Sequence, residues 1–326
     1  MTRYRSLRAR TTAPSRWIRR RAVPKATPFQ THLCYCRLGR AGSVDLRRKV
    51  TPIIIDTHVH VWALDDAHRP APDAKVRPPM EAVPVEWLID DMQAFGIDHC
   101  VLVQSSAFGW DNTYMVECQE RYPDRFKAIG LVDPLSPTNA DDLRSWTARG
   151  LSGTRLHPLY YPDEPCWVDA PANDALWNVA AETGAILQFH MLPRHAVPLA
   201  RMIARHPDAR VIVDHLGKPD VTEAPPYPNF QPVLDLAQHP NVWMKIGDYQ
   251  IASTQPYPWP DTFPFVALLK EAFGADRMLW GTGYARTARL VPLDQALAYV
   301  REDIPSLISA DVDKILGSTP KALFGF

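Results

Sequence analysis

No stretch of 18 apolar residues occurs in this 326-residue chain, so no transmembrane helix is expected. No Gly-x-Gly-x-x-Gly follows the first β-branched run, Ile53-Ile54-Ile55, which argues against a dinucleotide site at that position. Cysteine is scarce: Cys34, Cys36, Cys100, Cys118 and Cys166 are all there are. Their spacing matches neither a zinc nor a dithiol motif, and an odd count without a framework favours a reducing compartment. Cys100 sits in an apolar run and reads as a core thiol. Glycine is modest at 15 residues against 32 prolines, a balance that suggests rigid loops in a globular chain. Acids are nearly missing from residues 1–50, which hold 14 Lys and Arg against Asp45 alone. Because the whole chain has no formal net charge, the remainder holds 22 basic and 35 acidic residues, a net of −13. Nucleic-acid binding by that acidic body is not expected.

The basic head also lacks a continuous apolar segment, so a secretory signal is not expected. Its Arg-rich, acid-poor composition resembles an organellar transit peptide. A start codon placed too far upstream, or a basic tail for nucleic acid or anionic membrane, are the other readings. We take residues 1–50 as a non-structural extension and 51–326 as one folded domain. The expected location is the cytoplasm, or an organelle if the extension acts as a transit peptide.

What the body does contain is a rhythm. Short apolar runs recur at 53–55, 99–103, 126–131, 151–156, 185–189, 210–213, 242–246 and 278–280. Helical patterns lie between several of them, at 85–95, 172–183, 197–205 and 263–273, with tail helices at 292–300 and 311–316. Strands alternating with helices make parallel βαβ units, and eight of them predict an α/β fold, a (β/α)8 TIM barrel. The Pro-rich stretches 69–84, 219–232 and 256–264 are expected as loops over its top face.

Polar residues cluster where strands hand over to loops. Asp56-Thr57-His58-Val59-His60 follows the first run, and positions two apart share a face in extended chain, so His58 and His60 converge. His190 follows the fifth run and His215 the sixth. All strand tops ring one pocket in a barrel, so these four histidines are expected together. His58, His60 and His190 are candidate ligands for a divalent metal, and His215 is a candidate base. Arg155 and His157 at the fourth strand, Lys218 after His215, and Lys245 within the seventh strand are candidate contacts for an anionic substrate. Each cation has a salt-bridge reading beside the functional one, and Lys245 either faces the mouth or reaches outward. Trp62, Trp110, Tyr160, Tyr161, Trp167 and Tyr249 line a pocket or simply pack loops.

These motifs carry a resemblance. Ile54–Trp62, Gly153-Thr154-Arg155-Leu156, Phe189-His190, Val213-Asp214-His215-Leu216-Gly217-Lys218-Pro219 and Trp243-Met244-Lys245-Ile246 are similar, in order and spacing, to segments of the amidohydrolase-related family. The likeness is to its lactonase branch, which includes 2-pyrone-4,6-dicarboxylate and sulfomuconolactone hydrolases. It implies hydrolysis of a small acidic lactone, with a metal at His58, His60 and His190 and with His190 and His215 as catalytic groups, to which the residues themselves add Asp56 as a catalytic candidate. Arg155, His157, Lys218, Lys245 and Tyr249 would bind substrate. Zinc or manganese is the implied ion, and metal-free operation is the other mode in this branch. A decarboxylase of an aromatic or unsaturated acid is the enzymatic alternative. One position departs from the pattern: Gly283 in Trp280-Gly281-Thr282-Gly283-Tyr284 stands where the family has Asp. Asp248, Asp56 or His215 would then supply the base, or the chain is a ligand-binding paralogue without turnover. A homodimer is compatible with the sequence, which does not specify oligomeric state.

Overall fold

The structure, a computed structural model, describes residues 52–161, 167–285 and 291–326. The extension 1–50 with Cys34 and Cys36, and also Cys166, lie outside the described residues. Eight strands stand side by side in chain order: β1 (Ile55–Val59), β2 (His99–Val103), β3 (Phe126–Gly130), β4 (Gly153–Leu156), β5 (Ile186–Phe189), β6 (Arg210–Val213), β7 (Val242–Ile246) and β8 (Met278–Trp280). Every neighbouring pair is parallel. A parallel bridge between Val59 and Tyr284 brings the last strand back to the first. There the Gly283 N–H donates to the His58 carbonyl at 2.8 Å. The sheet thus closes as a (β/α)8 barrel.

The first strand corrects the sequence reading. Ile53 and Ile54 lead into it, and the strand runs on through Asp56, Thr57 and His58. Pairing decides this, because Ile55, Asp56 and Val59 lie opposite His99, Cys100 and Leu102 of β2. The Asp-Thr-His segment is therefore part of the barrel wall, not of the loop above it.

The crossover helices are α1 (Val85–Phe95), α2 (Thr113–Arg121), α3 (Asn139–Ala148), α4 (Asp174–Thr183), α5 (Ala196–Arg205) and α6 (Gln231–Asp235). A short α7 (Tyr249–Ala252) precedes α8 (Phe263–Phe273). In α1, Val85, Leu88 and Met92 fall on one face and are buried, and Gly96 at φ 68° ends the helix. No helix among the described residues is long and apolar enough to cross a membrane.

Strand alternation divides the core in two. Val101, Val103, Ile129, Ile186, Ile212 and Leu279 fill the barrel, with Leu323 and Phe324 packed against them. Cys100, Leu102, Leu187, Val211 and Met244 belong to the larger core that includes the helices. Two residues further up, the inward face turns polar: Gln188 succeeds Ile186, Asp214 succeeds Ile212 and Lys245 succeeds Trp243. This polar layer is the base on which the site is built.

Candidate active site

The layer is knit by one carboxylate. Asp214, fully buried, accepts from Arg155 Nε at 2.7 Å and from Gln188 Nε2 at 3.0 Å on Oδ2. Its Oδ1 lies 3.2 Å from Lys245 Nζ and 3.5 Å from His58 Nδ1. Lys245 also donates to Gln188 Oε1 at 3.0 Å. Five strands, β1, β4, β5, β6 and β7, thereby meet near their C-terminal ends. Burial alone would raise Asp214, but Lys245 and then Arg155 hold it well below the usual carboxylate range. Burial lowers Lys245 to about 8, against the opposing pull of Asp214.

Above this layer opens a pocket of about 490 Å³, lined in part by His60, Arg155, His190, His215, Asp248 and Gly283. Arg155 Nη2 lies 2.9 Å from His215 Nε2. A guanidinium only donates, so that nitrogen accepts and the His215 proton sits on Nδ1. Nδ1 is 3.5 Å from Asp248 Oδ2. His190 points neither ring nitrogen at a hydrogen-bond partner. Its ring stands edge-on to His215, centroids 5.1 Å apart, and to His157 at 5.4 Å. Burial first, and the Arg155 charge among the other causes, lowers the proton affinity of His157, His190 and His215. Burial likewise brings His60 down to about 4. At neutral pH these imidazoles are neutral and offer lone pairs.

The pair His58 and His60 comes together as the spacing predicts. His60 Nδ1 donates to the Val103 carbonyl at 2.7 Å, which leaves its Nε2 lone pair 3.2 Å from His58 Nε2. Two ligands bound at the zinc–nitrogen distance on a tetrahedral ion lie about 3.3 Å apart. A carbonyl behind His60 and a carboxylate near His58 Nδ1 are the usual outer partners of metal-bound imidazoles. Lys245 Nζ, 3.4 Å from His58 Nδ1, can only donate, so the His58 proton sits on Nε2 toward His60, and the pair would fit two corners of a divalent site once that proton is displaced. His58, Asp214 and His215 form a set whose ligand atoms all lie within 4.8 Å of one another, and could also coordinate a divalent ion. In that set Asp214 Oδ2 and His215 Nε2 already accept from Arg155. His190 shares the pocket but is not a member of that set.

Other expected residues go elsewhere. Asp56 accepts from Thr282 Oγ1 at 2.6 Å, Thr282 N at 3.0 Å and His58 N at 3.0 Å, so it stitches β1 to the end of β8 below the pocket. Burial pushes it up to about 6 despite those bonds. Lys245 faces inward beneath the pocket and is shared between Asp214 and Gln188. Tyr249 is buried, donates to the Ala296 carbonyl at 2.6 Å and stacks on Tyr299. Lys218 lines a separate hollow with Pro219 and Asp220. His157 lies in an adjoining cavity that shares Arg155 with the pocket. Gln188 and Asp214 were not singled out as site residues, although a polar residue at the inward register of an apolar strand marks both. Arg77 reaches the pocket from a Pro-rich loop that has no such periodicity.

A family model described as amidohydrolase matches residues 55–326. A 4-sulfomuconolactone hydrolase of Rhizobium radiobacter is 26% identical over 296 residues, 89% of this chain and 96% of that protein. An L-fucono-1,5-lactonase of Burkholderia ambifaria is 26% identical over 240 residues, 71% of this chain and 79% of its own. Among solved structures, a probable 2-pyrone-4,6-dicarboxylic acid hydrolase from Acinetobacter baumannii, with citric acid bound, superposes with a TM-score of 0.72. It is 23% identical and the match covers 84% of this chain and 99% of that one, a likeness of fold.

Proposed function

We propose, since the chain belongs to the amidohydrolase family, that it is a hydrolase that opens a small acidic lactone by adding water to the ring carbonyl. The observation that carries this reading is the wall of the 490 Å³ pocket, where the Arg155 guanidinium, the unpartnered His190 and the His215–Asp248 pair face one space. Arg155 binds an acidic group of the substrate, to which its planar fork is suited. As the substrate anion draws Nη2 away, the His215 Nε2 lone pair is released. That nitrogen then takes a proton from the attacking water, and the Asp248 carboxylate, 3.5 Å from Nδ1, offsets the charge gained. Recognition of the anion and exposure of the base are thus one event. Asp248 occupies the electrostatic role that Gly283, without a side chain, leaves open. His190, whose ring nitrogens meet no hydrogen-bond partner in the described structure, donates to the carbonyl oxygen, and the proton taken up by His215 passes to the ring oxygen as its bond to the carbonyl carbon breaks.

His58 and His60, or the set of His58, Asp214 and His215, would hold a divalent ion such as zinc or manganese, and the chemistry it would supply is polarisation of the carbonyl. The chain's own part is to keep His60 in the Nε2-basic tautomer through Val103 and to exclude water from the layer beneath.

The test is turnover. Purified protein is given 2-pyrone-4,6-dicarboxylate and 4-sulfomuconolactone, with ring absorbance and evolved carbon dioxide followed together. Ring loss without gas is expected. Gas release would assign a decarboxylase, and binding without turnover a ligand-binding paralogue. His215→Asn is expected to lower kcat by about 10²–10⁴-fold, and Asp248→Asn by a smaller factor. Full rate in His215→Asn would remove the base assignment.

A further inference from the structure

Beside the reaction pocket lies a second cavity of about 290 Å³, and Ser106, Arg155 and Tyr160 line both. We propose that this cavity is a subsite for a neutral aromatic arm of the substrate, carried on the ring whose acidic group Arg155 holds. The inference rests on the lactonase reading for the reacting group and adds the class of substrate.

The cavity is built from two strand-top loops and a roof. Its apolar wall includes Trp110, Leu131, Leu135 and Tyr161. Trp110 and Leu135 are 41% and 46% exposed, large hydrophobic side chains left uncovered at the rim. Leu131, by contrast, is buried at the inner end. The roof is the loop before α1, pinned where the Ala71 N–H donates to the Ala107 carbonyl at 2.8 Å. Its base is closed by a pair of bonds between Trp62 and Val83, at 2.8 and 2.9 Å. Along this loop Lys75 lines the second cavity and Arg77 the reaction pocket, so one segment serves both.

Size and charge select the occupant. A cavity of about 150 Å³ lined by apolar side chains holds a benzene ring, so 290 Å³ takes an aryl group with room for its linker. Asp73 and Asp133 both stand in the wall, which disfavours a second anion on the arm. Lys75, 5.4 Å from the Tyr161 ring centroid, brings one positive charge to the same wall. The anionic end therefore belongs at Arg155, and the uncharged flat end beyond it. Tyr160, stacked on His157 with centroids 5.0 Å apart and planes 8° apart, continues the flat surface from one space to the other.

The experiment compares succinate with phenylsuccinate by isothermal titration against the full chain. Neither is hydrolysed, so binding is read apart from turnover. Phenylsuccinate is expected to bind roughly tenfold more tightly. In the Trp110→Ala/Leu135→Ser double variant that advantage is expected to vanish while succinate affinity stays unchanged. Both positions are exposed, and an unaltered Tm confirms that the variant is folded. Succinate binding with no phenyl advantage, or an advantage that survives in the double variant, overturns the subsite and leaves the hydrolase reading standing. A Trp110-dependent advantage in a protein that opens no lactone keeps the subsite and sinks the reaction. Failure of both anions to bind overturns both.

Discussion

Asp214 shows how a single residue sets the electrostatics of the site. Two buried cations, Arg155 and Lys245, share one ionised carboxylate. Removing either member of a buried pair leaves an uncompensated charge, but the residues are not equivalent here. Lys245→Met leaves Arg155 and Asp214 as a balanced pair, whereas Asp214→Asn strands two cations in the barrel. Urea unfolding should therefore show a loss of about 3–5 kcal/mol for Asp214→Asn and a clearly smaller one for Lys245→Met. Equal losses would mean that Lys245 stays charged through some partner other than Asp214. This arrangement was only half legible. A lysine inside an apolar strand stands out in Val242-Trp243-Met244-Lys245-Ile246, but whether it points in or out depends on the strand's facing, and its partner lies on a different strand.

At the scale of elements, the seam between β1 and β8 is the joint on which closure depends. A Cβ added at Gly281 would meet His58 Cβ at 2.5 Å, so the two strands approach more closely than any side chain allows. Gly281→Ala is expected to lower stability by about 1–3 kcal/mol and to reduce activity, since the atom displaced belongs to His58. A calorimetric scan beside an activity assay checks this, and an unchanged Tm would show that the seam can open. Gly283 has a local reason as well: its φ is 71°, a left-handed backbone where glycine is least strained. The turn into α5 carries a pH dependence. His195 Nδ1 accepts from the Leu192 N–H at 3.0 Å, and burial, with Arg194, lowers it to about 4. A depressed imidazole stabilises the fold above its unfolded value near 6.5, and that contribution is lost as pH falls through the window down to about 4. The loss is about 1–2 kcal/mol after allowance for solvent screening. His195→Asn, which keeps an acceptor without the titration, should flatten the stability profile between those limits, and an unchanged profile would assign the acid loss to other groups. Helices α2 and α3 had escaped the sequence reading. Their buried faces are short, Met115, Val116 and Cys118 in one and Asn139 and Leu143 in the other, so their apolar period is faint.

For the whole molecule, charge is the property that acts at long range. Residues 1–50 bring 14 Lys and Arg against one acid to a chain that is otherwise at −13. An anionic substrate meets repulsion from the acidic body and attraction at Arg77 and Arg155 of the pocket. A chain that starts at Thr51 should keep its Tm, because the barrel core lies within residues 54–324. Its kcat/KM for an anionic lactone should rise with salt as the Debye length shortens from about 30 to about 10 Å, more steeply than that of the full chain. Stopped assays across that range read the slope, and parallel slopes would show that the extension does not alter the field at the pocket.

The sequence by itself determined the barrel, its strand order and the meeting of His58, His60, His190 and His215 near one pocket. All of these follow from local periodicity and from the rule that parallel strand tops share a face. Tertiary structure decided what each polar group does. Asp56 became the tie between first and last strands, Tyr249 a packing residue, Lys245 a buried counter-charge, and Asp248 the carboxylate beside His215. Such roles depend on hydrogen-bond partners that lie up to 226 residues away in the chain, and no period along a single strand encodes a partner on another.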